Sequence, residues 1–168
     1  MLVQFARDLG EDFYENYWMR SVTLLSQTVN HSDFSVIEAA FNALSWLLKY
    51  LVRPLVTNIT TTFEQLAPLL GKTRQKQYVR RFASEAFAFL LRRLKDPHEI
   101  SEKMLEEIGE DEEYREAIAN VFVVSMGAPG KSLHSRAINL FDVLAKAAHT
   151  AGLQFGLCIL TCRNGSFA

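Results

Sequence analysis

A stretch of nineteen residues occurs twice in this sequence in similar form. Residues 33–51 align with residues 76–94 without a gap, at an offset of 43 positions. The aligned apolar residues are Val36 with Val79, Ala40 with Ala83, Ala43 with Ala86, Leu47 and Leu48 with Leu90 and Leu91, and Leu51 with Leu94. Pro54 and Pro97 also align, just beyond the last of these leucines. Because spacing matches as well as residue type, the repeat predicts two helices that bury the same faces.

The polar side of each repeat helix is narrow. At about 100° per residue, Arg81, Glu85, Ala88 and Arg92 form one stripe of the second helix. The corresponding stripe of the first helix contains Glu38, Asn42, Ser45 and Lys49. The remaining arc of the second helix, which includes Phe89, is apolar over about 200°, so this helix needs neighbours on three sides. Stacked helix pairs provide such neighbours, which predicts an all-α fold, an α-solenoid of the HEAT or armadillo kind.

Helical periodicity continues through most of the chain, and no segment shows the alternation of a half-buried strand. Further helices are predicted at residues 12–28, 55–70, 99–109, 112–125 and 132–149. We predict one α-solenoid fragment over residues 1–168. Its parts are regular repeats in about 1–96, an acidic helical insertion in 97–130, a further repeat helix in 131–150 and an unassigned tail in 151–168.

Composition excludes some classes of partner. The 168 residues are 49% hydrophobic, which is enough for one compact core. The 18 basic and 19 acidic side chains give no overall attraction to nucleic acid or membrane. The charges are nevertheless arranged in blocks, basic from Lys72 to Lys95 and acidic from Asp96 to Glu116. No apolar run is long enough to cross a bilayer, and we predict neither a membrane partner nor a small-molecule substrate.

The basic block supplies the candidate binding residues. A helix buried on three sides cannot enter a groove and read base edges, but its exposed cations can meet phosphates or an acidic protein surface. We expect no aromatic platform beside them, because Tyr78 and the phenylalanines are expected mainly in the core. The alternative is that the arginines only keep an apolar helix soluble. The candidate residues for binding protein or RNA are Lys72, Arg74, Lys76, Arg81, Arg92 and Lys95.

The segment SMGAPGKS, residues 125–132, differs at one position from a phosphate-binding loop. Gly130, Lys131 and Ser132 fit the end of that pattern, but Ser125 stands where the first glycine is required. The preceding NVFVV could pass for the necessary strand, although the rest of the chain predicts helices. A small nucleotide-binding protein that uses these three residues is therefore the alternative function. Scattered histidines and two cysteines predict no catalytic residue, no metal site and no cofactor.

Four segments resemble a known family in the right order: LVQFARDLGEDFY, IEAAFNALSWLLKYLVRPLV, FEQLAPLLG and YVRRFASEAFAFLLRRLKD. They are similar to parts of the HEAT-repeat scaffold of the small-subunit processome, the U-three snoRNA-associated protein twenty family. The resemblance covers residues 2–96 well and 112–149 more weakly. It implies a fragment of a giant non-catalytic scaffold, located in the nucleus and nucleolus, that acts in ribosome biogenesis through 18S rRNA maturation. The implied partners are other ribosome-assembly proteins and the backbone of pre-rRNA or snoRNA.

Overall fold

The computed structural model describes residues 1–71, 76–107 and 111–127, together with Ala145, and all regular structure in those ranges is helical. The all-α prediction is therefore confirmed for the described residues. The chain divides into two compact units, Met1–Leu69 and Leu70–Ala168. Apart from Ala145, the helix predicted at 132–149 and the tail predicted at 151–168 lie outside the described residues.

The helices follow the predicted order with several changes of boundary. From the N-terminus the elements are α1 Leu2–Leu9, α2 Glu11–Phe13, a π-helical turn Tyr14–Trp18, α3 Met19–Thr28, α4 Phe34–Tyr50, α5 Val52–Thr57, α6 Ile59–Leu66 and a 3-10 turn Ala67–Leu70. The second unit then contains α7 Gln77–Leu91, α8 His98–Glu106 and α9 Glu112–Met126. The helix α1 precedes the first of the helix ranges assigned above, which begins at residue 12.

In the first unit, α4 packs against both α1 and α3 and buries a continuous apolar stripe. Its N-terminus is capped by Asp33, whose side chain accepts a hydrogen bond from the Ser35 amide at 2.9 Å. Trp18, the last residue of the π-helical turn, is buried in the core. Its indole Nε1 donates a hydrogen bond to Oε1 of Gln65 in α6 at 2.5 Å. These contacts join the N-terminal helices, α4 and α6 into one compact unit.

The prediction of a single helix over residues 55–70 is wrong, because the chain forms α5, α6 and a 3-10 turn in this region. The backbone leaves helical geometry at Asn58, with φ −111° and ψ 44°. The Asn58 side chain donates to the Pro54 carbonyl at 2.9 Å, and the Thr57 hydroxyl donates to the Arg53 carbonyl at 3.0 Å. Side chains that compete for backbone groups, in a run rich in β-branched residues, favour such a break.

In the second unit, α7 and α9 pack together and run parallel. Near their N-termini, Arg80 Nη1 lies 2.7 Å from Glu113 Oε2. One turn later, the buried Ser84 hydroxyl donates to the Ala117 carbonyl at 3.0 Å. Near their C-termini, Arg92 contacts the last turn of α9. Because these contacts advance in the same direction along both helices, α9 repeats the direction of α7, with α8 between them in the chain.

The repeat found in the sequence is present in the helices α4 and α7. They begin at Phe34 and Gln77, which keeps the offset of 43 positions. Four aligned pairs are buried in both copies: Ala40 and Ala83, Leu44 and Phe87, Leu47 and Leu90, and Leu48 and Leu91. The two helices therefore bury corresponding positions along most of their length.

The buried face of α7 can be tested by a pair of truncations. Phe87 is fully buried, so Phe87→Ala is expected to lower the free energy of unfolding by about 3–5 kcal/mol. The neighbouring Glu85 is exposed, and Glu85→Ala is expected to change it by less than about 0.5 kcal/mol. Chemical denaturation followed by circular dichroism measures both values, and losses of similar size would contradict this face assignment.

Candidate functional site

The predicted binding residues divide between described and undescribed parts of the chain. Lys72 and Arg74 lie outside the described residues, as do Gly130, Lys131 and Ser132 of the alternative nucleotide site. The structure therefore places the remaining basic candidates, all of them on or beside α7.

Three of these candidates are exposed. Lys76 immediately precedes α7, and its Nζ lies 5.8 Å from the centre of the Tyr78 ring. Arg81 Nε lies 3.0 Å from Glu85 Oε1, one helical turn further on, with both side chains more than half exposed. Lys95 is exposed beyond the end of the helix. An ion pair at this exposure contributes little to stability, so Arg81 remains able to meet another anion.

Arg92 is not on an exposed stripe, and that prediction is wrong. Its Nε donates to the Ser125 carbonyl at 3.1 Å, and a terminal nitrogen donates to the Val124 carbonyl. These carbonyls belong to the last turn of α9, where helical carbonyls have no partner within the helix. The guanidinium therefore caps the negative end of α9. Its task in this structure is to hold α9 on α7, and it is removed from the set of ligand-binding candidates.

The exposed face of α7 is rotated from the predicted stripe because α9 covers one side of it. Ala88, predicted to be in that stripe, is fully buried, as is Ser84 one turn earlier. The solvent-facing residues keep Arg81 and Glu85 of the predicted stripe but replace its other two members, and we call this row the α7 outer face. It consists of Tyr78, Arg81, Glu85, Phe89 and Arg93.

The α7 outer face carries aromatic rings, contrary to prediction. Tyr78 is 43% exposed and Phe89 is 38% exposed, whereas both were expected in the core. The Arg93 guanidinium carbon lies 4.8 Å from the centre of the Phe89 ring, and Lys76 lies beside the ring of Tyr78. Both distances are within the range of cation–π attraction. The face thus combines accessible rings with positive charge, a combination suited to binding rather than to acid–base chemistry.

The other titratable groups at the α7–α9 contact serve packing. The Arg80 side chain is 12% exposed and engages Glu113. Burial raises the pKa of Tyr114, and the charge of Glu107 raises it further, so the phenol stays neutral at physiological pH. A phenol in this state is not poised to exchange protons.

The alternative nucleotide site lacks the strand that it needs. The NVFVV segment, residues 120–124, lies within α9 rather than in a strand. Ser125 is buried in the last turn of that helix, and its hydroxyl donates to the Val121 carbonyl at 2.6 Å. A phosphate-binding loop connects a strand to a helix, so the described residues before the loop do not have the required structure.

The described ranges were also compared with the requirements of a metal site and of a membrane-spanning helix. Among those residues, no group of three or more histidine, cysteine, aspartate or glutamate side chains could hold a metal ion. Each helix in the same ranges is too short or too polar to cross a membrane.

Comparison with known proteins connects this chain to one family. No family model matches the chain. It is 34% identical over 158 residues to U3 small nucleolar RNA-associated protein 20 of Saccharomyces cerevisiae, across 89% of this chain. It is 30% identical over 151 residues to the protein of the same name from Schizosaccharomyces pombe, across 88% of this chain. The chain spans 6% of the length of each relative. The chain belongs to the U3 small nucleolar RNA-associated protein 20 family, as its sequence motifs predict.

The role of Arg92 can be separated from that of Arg81 by stability measurements. Arg92→Ala removes charged hydrogen bonds to the α9 carbonyls, so it is expected to lower the free energy of unfolding by about 1.5–3 kcal/mol. Arg81→Ala removes a cation of the same kind from an exposed ion pair and is expected to cost less than about 0.5 kcal/mol. Denaturant titration measures both values. If Arg92→Ala were as mild as Arg81→Ala, the capping role would be contradicted.

Proposed function

We propose that the chain is a non-catalytic scaffold segment of a nucleolar pre-ribosomal assembly factor that acts in 18S rRNA maturation, within the small-subunit processome. The observation that carries the proposal is the similarity to two U3 small nucleolar RNA-associated proteins over nearly nine-tenths of the chain. The names of these relatives describe association with a small nucleolar RNA rather than a reaction, which favours a binding role.

The helical arrangement supports a HEAT-like α-solenoid for this segment. The helices α4 and α7 share a register of 43 positions and bury corresponding residues. Within the second unit, α9 repeats the direction of α7 after the intervening α8. Alternation of direction, with every second helix parallel, is the arrangement of stacked helix pairs. Such repeats present helix faces on which several partners can be held at once.

The binding face proposed for partners is the α7 outer face with the exposed lysines that flank it. Lys76, Arg81 and Lys95 are retained as ligand-binding candidates because the structure exposes them. Lys72 and Arg74 continue the same basic block in the sequence and remain predictions. The proposed partners are ribosome-assembly proteins and the backbone of pre-rRNA or snoRNA, which the cations attract electrostatically.

A chimaera tests the proposed function in the cell. The matching segment of the Saccharomyces cerevisiae relative is replaced by this chain, and the chimaera is made the only copy present. If the chain is an equivalent scaffold segment, 18S rRNA should accumulate normally and the chimaera should sediment with pre-ribosomal particles. An unrelated helical segment of the same length is the first control and should support neither property.

A second control separates folding from identity. Phe87→Ala removes a fully buried ring and should weaken both properties, because the scaffold segment must fold in order to act. If the chain cannot replace the matching segment while its folding in the chimaera is intact, as judged by resistance to limited proteolysis, the proposed function is wrong.

A further inference from the structure

A second aromatic group, with one exposed ring and one half-buried ring, lies on α4 outside the residues selected from the sequence. Trp46 is 38% exposed, and its ring is stacked with that of Tyr50 at a centroid distance of 5.5 Å and an interplanar angle of 17°. The Lys49 Nζ lies 4.3 Å from the centre of the Trp46 ring. A flat aromatic surface and a cation are therefore presented together near the C-terminal end of α4.

The group on α4 occupies the same repeat position as the exposed phenylalanine on α7. Trp46 and Phe89 are separated by the repeat offset of 43 positions, and so are Tyr50 and Arg93. In each helix the exposed ring is covered by a cation, Lys49 at 4.3 Å in one and Arg93 at 4.8 Å in the other. The repeat thus preserves an accessible aromatic position in addition to the buried ones. The two cations come from different repeat positions, because Lys49 aligns with Arg92 and Arg93 aligns with Tyr50.

The fully buried positions of both helices are filled by other side chains. In α4 the buried stripe is formed by aliphatic residues that include Leu44, Leu47 and Leu48. In α7, Phe87 fills the equivalent interior position while Phe89 faces outward. Trp46 and Phe89 therefore lie outside the fully buried stripes, and each keeps part of its ring accessible to solvent.

We propose that each of these two groups is a stacking platform for an unpaired base of single-stranded RNA. One platform is Trp46 with Tyr50 and Lys49 on α4. The other is Phe89 on α7 with Arg93, which lies two residues beyond the end of that helix. A base stacks on the exposed ring, and the flexible cation moves from the ring face to an adjacent phosphate. This inference rests on the proposed function only in taking RNA as the partner.

The chemistry of the two groups fits a base with its phosphate. The near-parallel Trp46 and Tyr50 rings form a stack that one more planar group can extend, and every base offers a flat aromatic face. The cation over each ring marks a face that a ligand from solvent can reach. Along the α7 outer face, the cations Arg81 and Arg93 outnumber the single acid Glu85. The platforms therefore favour a polyanion that also carries aromatic bases.

Binding of labelled RNA to the 168-residue chain tests the proposal. The probe is a short unstructured RNA strand, and the comparison strand has the same length and charge but lacks bases. Fluorescence anisotropy at low salt should give an affinity for the complete strand at least about fivefold higher, since each stacked base contributes roughly that factor. A purely electrostatic surface would bind both strands equally.

Variants assign the effect to the two platforms. Trp46→Leu and Phe89→Leu keep an apolar side chain but remove the flat ring, and each should weaken binding of the complete strand by about fivefold. Neither should alter binding of the strand without bases. Lys49→Gln should instead reduce the magnitude of the log–log salt slope by about 0.7, as expected for the loss of one phosphate contact on a single strand.

Two further measurements keep the test decisive. Leu24→Ala removes an apolar side chain that is 59% exposed on α3, and it should leave the affinity unchanged if the effect is specific to the rings. Circular dichroism confirms that each variant keeps the helical content of the unmodified chain. The stacking proposal would be contradicted by any of three results. These are equal affinity for both strands, unchanged affinity in both ring variants, and no binding at low salt. A chimaera that still supports 18S rRNA accumulation would then leave the proposed function standing.

Discussion

The parallel contact between α7 and α9 determines which residues of the second unit face the solvent. Parallel helices bring like ends of their dipoles together, which is unfavourable unless charges of the opposite sign lie at each end. Glu112 and Glu113 stand in the first turn of α9, and Arg92 donates to carbonyls of its last turn. Between these ends, the Ser84 hydroxyl reaches the Ala117 carbonyl. With α9 held in this position, one flank of α7 is buried and the aromatic flank is left exposed.

The sequence predicts the helices well because their signals are local. Apolar spacing alone placed the α4 and α7 segments and identified Val79, Ala83 and Phe87 as interior. The exposed side of α7 was harder to predict, because periodicity shows how wide an apolar arc is but not which edge a neighbour covers. The covered edge is set by the contacts between α7 and α9. These contacts join residues 32 or 33 positions apart, so local periodicity does not reveal them. The break at Asn58 was missed for another reason, since side-chain bonds to the backbone outweighed the apolar period there.

The residues of the candidate site differ from the predicted set because packing against α9 decides which side of α7 is exposed. An arginine near the end of an apolar helix is predicted to be a surface charge from sequence alone. Arg92 instead donates hydrogen bonds to backbone carbonyls of the neighbouring helix α9. A phenylalanine in an apolar segment is predicted to be buried. Phe89 instead lies at the edge of α7 that no described helix covers, and Arg93 lies over its ring. The family resemblance could be recognised from sequence because it depends on motif order rather than on faces. A binding surface depends on which residues remain exposed after packing, and only the structure determines that.

The direction of α9 relative to α7 can be measured by electron–electron distance spectroscopy. Cys158 and Cys162 are replaced by serine, and spin labels are placed at Gln77 paired with Glu112, or at Gln77 paired with Met126. Because α9 rises about 1.5 Å per residue, a parallel arrangement places the label at Met126 about 20 Å further along the helix axis than the label at Glu112. The second distance should then exceed the first by at least about 10 Å, since packed helix axes lie about 8–10 Å apart. The opposite order, or equal distances, would show that α9 does not lie parallel on α7 and would contradict both the capping role of Arg92 and the outer face assigned to α7.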